Sequence, residues 1–234
     1  GALLSFCIQL YSLRGKKMFE VLPYFSWKDI KELIQLGFPR TGVNVLTQSR
    51  VLFFTALATT FGPGALTSYL FAQRITDAVT QVIQQSITTA SLPVLSREFI
   101  EHRIDEYKNV VKRYVFLLGS IGFLAALVIY TFQDIVIWIL YGTTEYKELI
   151  MFFLGGFLIA LPFQMMIGFF SISFYSAKDT KSVFYSNCIA TILAVIVCYS
   201  MRSSGAISLV YGVITVYVIN FAVLASLYSR KKFV

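Results

Sequence analysis

Apolar runs long enough to cross a bilayer recur along this chain, separated by short polar turns, and that pattern leaves few folds open. A helix needs about 20 mainly apolar residues to span the hydrocarbon core. Six runs reach that length: residues 33–60, 65–95, 114–140, 149–175, 182–201 and 206–228. Water is absent from the bilayer core, so each segment must satisfy its own backbone polar groups, and a helix does this. Composition agrees: 57% of residues are hydrophobic and 14% charged, against about 25% charged in soluble domains. The expected fold class is all-α, a polytopic transmembrane helix bundle of about six full spans plus the end of a preceding helix. That end is residues 1–13, apolar but too short to span and followed at once by Arg14, Lys16 and Lys17. A secretion signal would carry its positive charges before the apolar run. Residues 14–32 are expected as a cytoplasmic loop, and the short turns between spans argue for one bundle, 33–232, rather than two domains.

The net charge of +8 invites a nucleic-acid reading, which its distribution rejects. Arg14, Lys16, Lys17, Lys28, Lys31 and Arg40 come before or at the start of the first span. Arg97, Arg103, Lys108, Lys112 and Arg113 lie between the second and third, Lys178 and Lys181 between the fourth and fifth, and Arg230, Lys231 and Lys232 after the sixth. The alternate loops hold only Lys147 and Arg202. Loops rich in Lys and Arg stay cytoplasmic, so the first span is expected to run from inside to outside and the tail to be cytoplasmic. The basic charge sets topology, and no nucleic-acid partner is expected.

Breakers mark the joints. Residues 61–64, Phe-Gly-Pro-Gly, predict a tight outer turn, and Pro93 is expected to close the second span. The charged segment 96–113 is expected as an amphipathic inner loop. Trp138 and Tyr141 flank an outer turn, as interfacial aromatics do. Gly155, Gly156 and Pro162 are expected to loosen or kink the fourth span.

The second span departs from its neighbours. At 3.6 residues per turn, Arg74, Asp77, Gln81, Gln84, Gln85 and Thr88 fall within an arc of roughly 100°. Ile75, Val79, Val82, Ile83 and Ala90 take the other face. A charge at bilayer depth costs about 2.5–3.5 kcal/mol on insertion scales, so the stripe is expected to face protein or a water-filled path. Arg74 and Asp77 stand three residues apart and could neutralise each other within the helix. Arg50 sits mid-way along the first span beside Thr47 and Gln48. A guanidinium fork matches phosphate oxygens, and glutamine amides supply both donors and acceptors. These residues suit a cavity for a phosphate-containing amphiphile.

Catalytic chemistry is not expected. His102 lies in a charged turn with no partner nearby in sequence, and Cys7, Cys188 and Cys198 lack metal-ligand spacing. The chain has no phosphate-binding loop or dinucleotide fingerprint and no paired carboxylates within a span. Neither a cofactor nor a metal is expected.

At these residues the sequence resembles a known family. The run from Gly62 to Arg97 is similar to the eighth transmembrane segment of the MurJ (MviN) lipid II flippases, with its Leu-Pro-x-Leu-Ser-Arg close. The resemblance extends to Gly37-Phe-Pro39 with Gln48, to Phe174-Tyr-Ser-Ala-Lys-Asp-Thr-Lys181, to Gly205-Ala-Ile-Ser-Leu-Val210 and to Arg230-Lys-Lys232. It covers essentially the whole chain, as the end of segment six through segment twelve. It implies the C-terminal lobe of a multi-pass transporter in the bacterial cytoplasmic (inner) membrane. Such proteins carry an undecaprenyl-pyrophosphate-linked peptidoglycan precursor, lipid II, outward by alternating access between two lobes. The implied partners are that anionic lipid, the bilayer and an N-terminal lobe of the same protein. Arg74 matches the family's cavity arginine, and Asp77 a polar or acidic position one turn on. Arg50, Gln81, Gln84 and Gln85 complete the expected substrate-binding set.

Several positions depart from the family pattern. Gln73 stands where many members carry an acid, Arg50 where Asn is common, Phe54 where Asp is common, and Val183 where proline is usual. Ala194 and Cys198 replace polar residues. Hard cations need several oxygen ligands, so sodium coupling by this lobe is not expected. The competing readings are a polysaccharide-lipid flippase or multidrug antiporter of the same superfamily, or a non-transporting membrane scaffold.

Overall fold

The computed structural model describes residues 27–142 and 145–231, and among them every regular element is helical. In order these are α1 (Trp27–Ala58), a 3₁₀ turn (Thr59–Phe61), α2 (Ala65–Ile100), α3 (Ile104–Thr131), α4 (Gln133–Tyr141), α5 (Lys147–Ser176), α6 (Thr180–Ser200), a second 3₁₀ turn (Arg202–Ser204) and α7 (Ile207–Arg230). The chain divides into two compact units, Gly1–Gly37 and Phe38–Val234. The bundle and its cavity belong to the second. Residues 1–13, expected as the tail of a preceding helix, lie outside the described residues, as do 14–26 of the expected loop. Residues 27–32, expected in that loop, are the first turns of α1.

Four helices, α3, α5, α6 and α7, are long and apolar enough to cross a membrane. The helices α1 and α2 have the length, 32 and 36 residues, but charges, amides and hydroxyls interrupt their apolar character. The fold is an all-α membrane bundle in which two long helices are more polar than the rest.

The Gly-Pro-Gly turn forms as the sequence predicts. Gly62 and Gly64 take φ of 101° and 79°, a region that glycine alone enters without penalty. Pro93, by contrast, does not end α2. The helix runs on to Ile100, because proline removes one backbone donor and leaves the other hydrogen bonds of the helix available. Segment 96–113 is therefore no extended loop: a turn at 101–103 separates the end of α2 from the start of α3. The expected single span 114–140 is also two pieces. Phe132, with φ −106° and ψ 19°, breaks it between α3 and the short α4.

The helix α5 sits at the centre, packed on α2, α3 and α7, while α6 packs on α7. Its burial follows from sequence, since α5 is apolar on nearly every face, as an interior helix must be. It meets α3 closely where Gly122 faces Pro162: a side-chain carbon on Gly122 would lie 2.9 Å from Pro162 Cα. Beyond that crossing the two helices leave an outward-facing apolar groove of about 730 Å³, floored in part by Gly155. Between α6 and α7, buried amides and hydroxyls hold the pair together. Ser186 donates to Asn220 Oδ1 at 2.5 Å and Asn220 Nδ2 donates to Asn187 Oδ1 at 3.2 Å, the small-polar packing that serves where lipid supplies no hydrophobic drive.

Contacts place the basic turns at one end. Phe99 meets Tyr107 edge-on, and the Tyr107 hydroxyl donates to the Ser173 carbonyl at 2.5 Å. Lys231 pairs with Asp179 and lies 5.6 Å from the Phe174 ring centre. The 101–103 turn, the α5–α6 turn and the end of α7 thus share one end of the bundle, as the charge pattern requires.

Candidate functional site

The cavity forms because four helices each turn one polar patch inward. On α2, Tyr69, Gln73 and Asp77 recur every four residues and so share one face. On α1, Thr47, Arg50, Val51 and Phe54 follow the i, i+3, i+4, i+7 pattern, while α5 supplies Phe157 and Gln164, seven residues apart. The last wall is α7, with Val213, Val216 and Tyr217. Together with Gln48 these residues line a cavity of about 380 Å³.

Its electrostatics are organised by two charges. The Asp77 carboxylate shares the cavity with the amide side chains of Gln73 and Gln164, which stand close enough to influence it. The Arg50 guanidinium is half-buried, lies 5.8 Å from the centre of the Tyr217 ring, and has no hydrogen-bonded or ion-paired protein partner among the described residues. The hydroxyls of Tyr69 and Tyr217 both lie in the fields of Arg50 and Asp77. Thr47 returns its hydroxyl proton to the Val43 carbonyl at 2.9 Å.

The structure divides the residues that the sequence put on one stripe. Asp77 and Arg50 line the cavity. Arg74 does not: it is exposed on α2, 100° around the helix from Gln73 by the 3.6-residue repeat. No ion pair joins it to Asp77, so the internal neutralisation left open by the i,i+3 spacing does not occur. Arg74 sits in the outward half of its helix, where its charge reaches Tyr141, whose ring stacks on Phe71 at 3.9 Å and whose hydroxyl donates to the Phe71 carbonyl. Gln81 is exposed. Gln84 is half-buried against the backbone of Gly168, with its Oε1 lacking a hydrogen-bond partner. The side chain of Gln85 lies outside the described residues.

Sequence reasoning missed Gln164, Tyr69 and Tyr217. Gln164 carried a signal, as the one amide in an apolar run, two residues after a proline. Tyr69 and Tyr217 carried none, because aromatics in spans ordinarily pack.

Two of the positions that depart from the resemblance, Phe54 and Cys198, converge. Phe54, Ala194 and Cys198 are buried, and Cys198 and Phe54 pack directly over the backbone of Gly212. The Cys198 thiol donates to the Ser208 carbonyl at 3.3 Å. Carbon and sulfur fill this locus.

Comparison with curated proteins and with solved structures gives no significant match. The family model described as "Lipid II flippase MurJ" matches residues 1–234, the full length given. Together with the polar cavity inside an apolar bundle, that match identifies a multi-pass membrane protein of a lipid-transporting type: the chain belongs to the MurJ family of lipid II flippases.

Proposed function

We propose that this chain is the C-terminal lobe of a lipid II flippase of the bacterial inner membrane, and that its cavity and the polar face of α2 handle the lipid's headgroup. The observation that carries the reading is Arg50. A half-buried arginine in an apolar bundle, with no acceptor for its guanidinium among the described residues, is costly unless something else supplies the acceptor oxygens. A pyrophosphate-linked sugar headgroup brings many. Arg74, exposed on the adjoining face, is placed to meet phosphate oxygens through its planar fork. Gln81 continues the polar face along α2 beyond Arg74, and Gln84 and Gln85 are assigned to the same route from their place in the sequence, so the headgroup need not enter hydrocarbon.

In this reading the missing wall of the path is an N-terminal lobe of the same protein, and rocking of the two lobes exposes the headgroup first inward and then outward. The chain's own part is electrostatic: it replaces water around the headgroup with fixed charges and dipoles, and it makes and breaks no bond.

Complementation tests this. The full-length gene is expressed in a flippase-depleted bacterium as wild type, Arg74→Ala and Arg74→Lys, at matched membrane levels. Rescue by wild type, loss with Ala and partial rescue with Lys are expected. Failure of a well-expressed wild type would overturn the substrate assignment, and full rescue by Arg74→Ala would remove Arg74 from the site.

A further inference from the structure

Resting on that flippase reading, we infer that the Arg50–Asp77 cavity is a sugar subsite: it takes the amide- and hydroxyl-bearing glycan of the transported lipid and leaves the phosphates to Arg74 outside it.

Charge balance is the first reason. Arg50 and Asp77 line the same cavity, so it carries no net charge, and a phosphate drawn to Arg50 meets the Asp77 carboxylate in a poorly screened interior. Arg74 has no carboxylate paired to it among the described residues, and it is exposed on the helix rather than lining the cavity.

Hydrogen-bond complementarity is the second. An ionised carboxylate only accepts, at about four lone-pair positions. Gln73 and Gln164 beside it can fill part of that capacity, and the remainder calls for ligand donors. Arg50 offers donors with no acceptor among the described residues, and the two glutamines bring carbonyl oxygens as well as N–H groups. A bound molecule must therefore present donors and acceptors side by side. Adjacent hydroxyls and an N-acyl group do so, whereas a phosphate diester or pyrophosphate presents acceptors alone.

Shape is the third. The Tyr217 ring lies beside Arg50, and the rings of Tyr69 and Phe157, 5.3 Å apart, line the same cavity, giving apolar surface for the C–H face of a sugar ring. The volume of about 380 Å³ falls in the range of small-ligand sites, roughly 300–1,000 Å³. The lining is too polar to hold the polyprenyl chain.

Binding to the full-length protein in liposomes decides the matter, with two probes: a polyprenyl pyrophosphate bearing the disaccharide, and the same polyprenyl pyrophosphate without sugar. Asp77→Asn and Gln164→Leu should weaken the glycan-bearing lipid by about tenfold, the usual worth of a hydrogen bond to a charged group. Gln164→Leu should leave the bare lipid unchanged, and Asp77→Asn should bind it as well as or better than wild type does. Arg74→Gln should weaken both. Equal weakening of both lipids by the cavity variants, or no effect on either, overturns the subsite while leaving the flippase reading intact. Wild type that binds neither lipid overturns both.

Discussion

Arg50 of α1 lies 5.8 Å from the centre of the Tyr217 ring on α7, so a charge from one polar helix rests on an aromatic from one of the most apolar. The contact holds the guanidinium at the cavity wall without consuming its donors. Arg50→Gln should therefore reduce lipid II flipping by about tenfold or more, as expected for lost charged hydrogen bonds. Arg50→Lys should recover only part, since an ammonium lacks the fork and stacks less well. A flipping rate for Arg50→Gln equal to wild type would remove Arg50 from the path.

The Phe54–Cys198–Gly212 contact makes a prediction about energy coupling. Where the family pattern expects polar side chains, this chain packs a ring and a thiol against backbone, and neither supplies the oxygens a hard cation needs. Replacing sodium by potassium at constant membrane potential should leave the flipping rate unchanged. A rate that falls with sodium would place a cation site elsewhere in the protein.

The Gly122–Pro162 crossing predicts an asymmetry between two glycines. A side-chain carbon on Gly122 would press on the backbone of Pro162, whereas one on Gly155 meets nothing within 4 Å. Gly122→Ala should destabilise the purified protein by about 1–3 kcal/mol, the cost of overpacking, and Gly155→Ala should be close to neutral. Thermal melting of both variants in the same detergent checks this. Equal melting temperatures would show that α3 and α5 do not meet there.

Asp179 gives a pH dependence. It caps α6, accepting from the Ser182 backbone at 3.1 Å and its hydroxyl at 2.6 Å, and it pairs with Lys231. Burial works to raise its carboxyl, but the hydrogen bonds from Lys231 and Ser182 outweigh that and hold it below the usual carboxylate range. A carboxyl depressed on folding adds stability that is complete above its unfolded value and is lost as pH falls through the folded one. Asp179→Ala should cost about 1 kcal/mol at pH 7, as for a lost helix cap. The difference from wild type should shrink as the pH is lowered through the acid range. A difference independent of pH would mean that the Asp179 carboxyl is not depressed on folding.

The sequence disclosed the bundle more fully than the site. Apolar length announced the helices, and the Gly-Pro-Gly turn announced a sharp corner, because both are local properties of the chain. The break at Phe132 was hidden, since residues 131–133 contain neither proline nor glycine. Pro93 misled in the other direction, as a lone proline that the helix absorbs. In the site, Arg50 and Asp77 stood out because charge inside a span is costly. The stripe on α2 could not be divided from sequence, because a helical wheel shows an arc and not the neighbour that faces it. Gln73 turns to the cavity and Arg74 away only because α5 lies on one side. Tyr69 and Tyr217 became cavity residues through packing between helices distant in sequence, which no local pattern encodes.

The most direct test of the central claim is the rate at which labelled lipid II changes leaflet in liposomes containing the full-length protein, both lobes together. The account predicts a protein-dependent rate well above that of empty liposomes, lowered by Arg74→Ala with the protein still folded. A wild-type rate no faster than empty liposomes would contradict it.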